Sequence, residues 1–497
     1  MNYKSTRGTG DAVSAAQAIK QGLAADGGLF MPQELPRITK EELQALCGMT
    51  YPQRAAYILG KFLTDYTPDE LLQDCTAAYA EDRFPGGAAP VTKLKDGLHV
   101  LELWHGPTCA FKDMALQIMP KLLSRALGKT GENREALILV ATSGDTGKAA
   151  LEGYRDVDRT RMLVYYPVDG VSRIQKLQMA TQEGGNVAVC SVRGNFDDAQ
   201  NGVKRIFSDR DTAKLLSDHG YFLSSANSIN WGRLAPQIVY YVSAYCDLVT
   251  GGEIQMGDEI NVTVPTGNFG NIFAAYLAKC AGLPINRLVC ASNCNNILTD
   301  FFASGTYDRN RAFHTTMSPS MDILISSNLE RMLYLAAGSE RTAAYMKSLT
   351  QTGAYTVDAD VKAKLDTHFA GLFCNEEQTA HTIRDIYETY HYLIDTHTAV
   401  GLHCAMEYQD TQDASRPMLA VSTASPYKFA SSVYRALRGT QSADEFENIR
   451  ALSEWSKTDV PEPLSSLRGK AIRFDPEAAI EADEMRSQVL RVLHIEA

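Results

Sequence analysis

The chain has 497 residues, 45% of them apolar and 22% charged, enough for two substantial cores, since single domains usually hold about 50–250 residues. A formal net charge of -11 argues against a non-specific nucleic-acid binder and offers no long-range attraction to an anion, so any phosphate site must be built locally. The start MNYKSTRGTGDAVSAAQAIK has no apolar signal core, and no window approaches the roughly 20 apolar residues that cross a bilayer, so no membrane partner is expected and the chain reads as cytoplasmic.

Residues 11–90 alternate helical periodicity with breakers, and Thr67-Pro68-Asp69-Glu70 is a helix-opening signal. Residues 1–95 are therefore expected to form a mainly helical N-terminal domain. From about residue 95 short apolar runs are followed by turn residues and helices. Examples are LHVLELWHGPTCAFKDMALQ (98–117), ALILVATSGDTGKAALEGY, EINVTVPTGNFGNIFAAYLAKCAG and RPMLAVSTASPYKFASSVYRAL. This repeated strand–loop–helix order predicts an α/β core over 96–440 with parallel-type sheets flanked by helices. A smaller subdomain is expected at about 125–220, a helical insertion at about 328–400 and a helical C-terminal segment over 441–497. Ten cysteines lie scattered without CxxC pairs, a pattern of reduced, mostly buried thiols. Cys290 and Cys294 stand close, but with no nearby histidine partner they give no reason to expect a metal.

Lys112, between Phe111 and Asp113, carries the most information. A free lysine amine has a pKa of about 10.4, so a nucleophilic role needs a site that favours its neutral or imine form. Loops at the carboxyl ends of strands are where α/β sheets collect ligands. In PTGNFGN, Gly267 and Gly270 let the backbone close around an anion while the amides of Asn268, Phe269 and Asn271 point inward at a helix start, which suits a phosphate. The run is richer than a tight turn requires, lacks the Lys-Ser/Thr of a Walker A loop, and lacks GxGxxG spacing. TSGDTG places Thr142, Ser143, Gly144 and Thr146 at a second helix start, a receptor for a carboxylate. Asp145 there either caps the helix or faces a bound ring or substrate. In VSTASPYKF, the hydroxyls of Ser422, Thr423 and Ser425 either form a helix-capping turn or donate to a ligand nitrogen. Lysine and glycine-rich loops together suggest imine chemistry.

HGPTCAFKD, TSGDTG, PTGNFGN and STASPYKF together resemble the threonine synthases, in the fold type II (tryptophan synthase β-like) group of pyridoxal phosphate enzymes. The likeness runs the length of the chain, through YKSTRG, ADGGLFMP, VSRIQKLQM and SSANSINWGRL, and is strongest to the longer, yeast-like and enterobacterial branch. It implies pyridoxal 5'-phosphate as cofactor, Lys112 as its Schiff-base lysine, Gly267–Asn271 around its phosphate and Thr423 at its pyridine nitrogen. TSGDTG would receive the substrate α-carboxylate, with Asp145 where relatives carry Asn beside the ring hydroxyl. The implied reaction turns O-phospho-L-homoserine and water into L-threonine and phosphate by γ-elimination and β-addition of water, with Lys112 shuttling protons. Two departures from the family pattern are Ser425 and Tyr427, where STAHPAKF has His and Ala; a third is Thr396 for proline beside His397, which reads as structural. For the substrate phosphate the positions are Arg173, Lys176, Asn227, Ser228, Asn230 and Arg233, each equally readable as surface or helix-capping. Competing readings are a threonine or serine dehydratase, a β-replacement enzyme, or a silent ligand-binding homologue. Either a monomer or a homodimer is compatible with the sequence.

Overall fold

The computed structural model describes residues 1–142, 144–168 and 171–496, the side chain of Asp197 excepted. The strand–loop–helix units build two sheets. In the larger, the order is Phe369–Phe373, Ile285–Ser292, Ile260–Pro265, Met418–Ser422, Leu98–Glu102, Val91–Lys95, parallel except for the final pair. In the smaller, Val187–Val192, Thr160–Pro167, Glu135–Ala141 and Tyr221–Ser224 are all parallel. Parallel strands covered on both faces need continuous apolar runs rather than alternation. Leu98–Glu102 and Ile260–Pro265 are accordingly buried at every position.

Helix Trp231–Thr250 ties the bodies together. Its sequence WGRLAPQIVYYVSAYCDLVT is apolar nearly all round, so it is enclosed by other helices rather than facing water. It packs on Lys40–Cys47 and Tyr51–Phe62 of the N-terminal region and on Gly270–Ala281 of the large body. The N-terminal region is mainly helical, with one antiparallel pair, Tyr3–Ser5 against Phe30–Pro32. Helix Pro68–Ala78 opens on Thr67, whose hydroxyl and the Glu70 side chain cap each other's backbone amides.

One region differs from the sequence expectation, and a second divides its packing between two places. The stretch 328–400, read as a helical insertion, holds four complete helices and the start of a fifth, but also the strands Ala354–Thr356 and Phe369–Phe373. The second of these is the edge strand of the large sheet. Five residues, FAGLF, with only Phe369 buried, are too short and one-sided to stand out from helical neighbours. The C-terminal stretch 441–497 is helical but does not form one unit. Glu445–Ser456 packs on Ala430–Arg438, whereas Met485–Val492 packs on helix Phe196–Ser208, and its Met485, Val489 and Leu490 join the core cluster that also holds Leu137, Leu139 and Leu163 of the small sheet. Among the described residues no helix is long and apolar enough to cross a membrane, and no His, Cys, Asp and Glu cluster could hold a metal ion. All ten cysteines are free.

Candidate active site

Neighbouring strands Leu98–Glu102 and Met418–Ser422 deliver their following loops side by side. Leu103 N–H donates to Ser422 O (3.0 Å), Phe111 N–H to Thr423 O (2.8 Å) and Ser425 N–H to Cys109 O (3.0 Å). These bonds fix the loop that carries Lys112, which immediately precedes the short helix Asp113–Leu116. Buried Asp113 closes the loop by accepting from Thr108 N–H (2.8 Å) and Thr108 Oγ1 (2.7 Å). A side chain at Gly106 would place Cβ 2.6 Å from Asp113 Cβ, so only glycine permits this closure. Burial pushes the Asp113 carboxyl up to about 6 against the opposing pull of the Thr108 bonds.

Lys112 Nζ lies 3.4 Å from Asp145 Oδ2 and 3.5 Å from Ser320 Oγ. Burial lowers its basicity; the Asp145 carboxylate opposes this, while Lys428 and Arg233 push the same way as burial. The environment thus favours the uncharged amine that a nucleophile requires.

Asp145 opens helix Asp145–Tyr154 after strand Glu135–Ala141 of the small sheet. Its Oδ1 accepts from Gln175 Nε2 (2.9 Å) and pairs with Lys428 Nζ (2.8 Å). Burial works against this carboxylate, yet Lys428 and Lys112 outweigh it and hold Asp145 well below the usual carboxylate range. Thr142 Oγ1 accepts from Gly144 N–H (3.0 Å) and Gly147 N–H (2.9 Å), so its oxygen braces the loop while its hydroxyl proton stays available to a ligand. Thr146 is half-buried on the same helix start. Ser143 lies outside the described residues.

The loop Gly267–Asn271 follows Ile260–Pro265, and Phe269 takes a left-handed φ of 61° to turn the chain into helix Gly270–Ala281. Gly267 packs so closely that a Cβ there would stand 2.7 Å from Ser320 O. Ser326 Oγ holds Gly267 O (2.7 Å), and Asn328 N–H and Nδ2 each hold Asn268 O (3.0 Å). With the loop carbonyls tied back, its amides are free to face a ligand. Asn271 Oδ1 accepts from Tyr240 and Tyr241, each at 2.5 Å, while its Nδ2 is buried with no partner. An orphaned donor beside a helix start that two glycines keep open fits an anion, such as a phosphate.

The remaining expected positions separate. Thr423 is buried beside the lysine loop, and Ser425 Oγ caps Tyr427 N–H (3.4 Å), the turn-capping role. Arg233 is buried, donates Nη1 to Ala226 O and leaves Nε without a partner; burial lowers its guanidinium to about 10. Asn230 is spent on structure: it caps Gly232 N–H (2.9 Å) and donates to Ile19 O (2.9 Å) and Ser225 O (3.1 Å). Asn227 and Ser228 are half-buried in the turn before it. Arg173 is exposed and paired with Asp444 (3.5 Å), and Lys176 donates to Val168 O.

Four contributors escaped the sequence reading: Lys428, Gln175, Ser320 and the role of His397. Lys428 is fully enclosed and donates to Thr108 O (2.9 Å). Ser320 brings its hydroxyl to Lys112 and Asp145 from a 3-10 turn, Pro319–Met321. His397 is directed at this turn. Its Nδ1 bonds Asp395 Oδ1 (2.8 Å) and its Nε2 accepts Ser320 N–H (3.1 Å).

Three family models match the chain: "Threonine synthase N terminus" at residues 2–79, "Pyridoxal-phosphate dependent enzyme" at 88–424 and "Threonine synthase, C-terminal" at 398–486. Threonine synthase of Pseudomonas aeruginosa is 38% identical over 88% of this chain and 90% of its own. Human threonine synthase-like 1 is 41% identical over 85% of this chain, which spans only 58% of that protein's length. The crystal structure of pyridoxal phosphate-bound threonine synthase from Brucella melitensis superposes with a TM-score of 0.88 at 36% identity, each chain wholly covered.

Proposed function

Because the chain belongs to the threonine synthase family, within the pyridoxal-phosphate-dependent enzymes, we propose that it converts O-phospho-L-homoserine and water into L-threonine and phosphate. The observation that carries this reading is the desolvated Lys112 amine 3.4 Å from Asp145, at the carboxyl ends of strands from both sheets. Pyridoxal 5'-phosphate, when bound, supplies an electron sink that lets a substrate lose protons from carbon. The amides of Gly267–Asn271 and the free Asn271 Nδ2 suit its phosphate, and the Thr423 hydroxyl would bond its ring nitrogen.

Phosphate leaves from Cγ while the hydroxyl ends on Cβ, so protons must move at Cα, Cβ and Cγ in turn. Lys112 moves them: its amine ends a long side chain and its charged form is disfavoured by burial. Thr142, Thr146 and the helix start behind them receive the substrate α-carboxylate. Arg233, buried and with a donor to spare, holds the substrate phosphate. Asn230 supports that arginine's turn, and Arg173 is exposed and paired with Asp444. A reducing, cytoplasmic setting suits ten unpaired cysteines.

The test is a comparison of two releases by the purified protein: phosphate from O-phospho-L-homoserine and ammonia from L-threonine. Rapid phosphate release with L-threonine formed supports the assignment. Ammonia release alone, or no turnover by cofactor-loaded protein, overturns it.

A further inference from the structure

One carboxylate between two lysines is an unusual load for a protein interior. Asp145 Oδ2 faces Lys112 Nζ at 3.4 Å and Oδ1 faces Lys428 Nζ at 2.8 Å, with the Lys428 side chain fully shielded from solvent. Burying an ion without a partner is costly. If Lys112 were the sole partner, Asp145 would be stranded each time Lys112 gave up its charge, and would draw the proton back. A second cation beside the carboxylate removes that conflict. We propose that Lys428 is a positioning residue, the fixed counter-ion that keeps Asp145 charged and in place while Lys112 gives up and regains its proton. The inference rests on the functional reading above only in taking Lys112 as the working amine.

The surroundings hold Lys428 in place. Lys428 also donates to Thr108 O (2.9 Å), and Thr108 in turn holds Asp113, the residue after Lys112. The same lysine therefore braces both the carboxylate and the loop that carries the amine. The ionisable groups acting on this cluster are Asp145, Asp113, Cys109, Arg233, Lys148 and Glu152. Burial holds the Cys109 thiol up at about 12, and Asp113 titrates at about 6. Burial and the neighbouring cations disfavour the charged form of Lys112, the member of the cluster whose charge the functional reading requires to change.

The test follows the visible absorbance of the holoenzyme against pH, reading the midpoint at which the band of the Lys112-linked cofactor changes. Removing a neighbouring positive charge makes a nearby nitrogen hold its proton more tightly, by about one to three pH units at such distances. Lys428→Met should therefore move the midpoint upward by about one unit or more, and Lys428→Arg should leave it nearly in place. Asp145→Asn/Lys428→Met removes both charges and should return the midpoint most of the way to wild type. A Lys428→Met protein that cannot hold cofactor while the double variant can would also support the inference, because only the stranded carboxylate differs. An unchanged midpoint in Lys428→Met, or a double variant displaced as far as Lys428→Met or equally unable to hold cofactor, overturns it. Absence of any such band in the wild-type protein would instead count against the proposed function.

Discussion

Substituting alanine for Gly267 tests the anion cup with the least chemical change. The new Cβ would stand 2.7 Å from Ser320 O, whereas ordinary contact begins at 3.4 Å, so the turn or the loop must move by about 0.7 Å. The turn cannot yield freely, because Ser320 N–H is held by His397 and Ser320 Oγ sits 3.5 Å from Lys112 Nζ. Overpacking of this kind costs about 1–3 kcal/mol, which at 1.4 kcal/mol per decade is roughly 5- to 150-fold in affinity. Titration of the apoprotein with pyridoxal phosphate, read by absorbance, should show that loss. Gly128→Ala is the control. Gly128 lies in helix Met119–Lys129 with nothing within 4 Å of its would-be Cβ, so cofactor affinity should be unchanged. Its stability should be equal or about 0.4–1 kcal/mol higher. Wild-type affinity within twofold in Gly267→Ala would refute the cup.

Arg233→Ala should raise KM for O-phospho-L-homoserine by about 10- to 100-fold, the worth of a charged hydrogen bond, with the cofactor spectrum intact; simultaneous loss of the spectrum would count against substrate contact. Asp113, raised to about 6 from 3.8, binds its proton more tightly when folded. Its contribution to stability is therefore complete below pH ~4 and lost as pH rises through ~6, on the order of 3 kcal/mol in all. Urea unfolding at pH 4 to 7 should show wild type losing that much relative to Asp113→Asn, and parallel profiles would dismiss the shift. His397→Leu removes the acceptor of Ser320 N–H and should lower stability by about 1–3 kcal/mol, checked by the same denaturation.

The parts of the site that were legible in the sequence are those encoded within a few residues. Gly267 to Asn271 announce a tight strand-to-helix passage by glycine spacing, and Lys112 stands out between an aromatic residue and an acid just after a Gly-Pro turn. What escaped is assembled from distant segments. Lys428 reaches Asp145 because two loops from different sheets face each other, and nothing in PYKF distinguishes an inward lysine from a solvated one. Gln175 is the partner of a helix cap, since Ser172 N–H bonds its Oε1 (3.2 Å), and its amide nitrogen serves Asp145 at the same time. Asn230 shows the reverse. A conspicuous asparagine in SINWGR is occupied in capping one helix and tying down two carbonyls, a use that polar sequence cannot separate from ligand binding. In the fold, continuous apolar runs marked the parallel strands, whereas the edge strand Phe369–Phe373 and the docking of Met485–Val492 onto the small sheet depend on long-range packing.

The account depends on Lys112 being the amine that joins the cofactor. Borohydride reduction of the holoenzyme followed by proteolysis and mass mapping tests this directly: the pyridoxyl label should fall on Lys112. Label on Lys428 or any other lysine, or no label on a protein that turns over substrate, would contradict it.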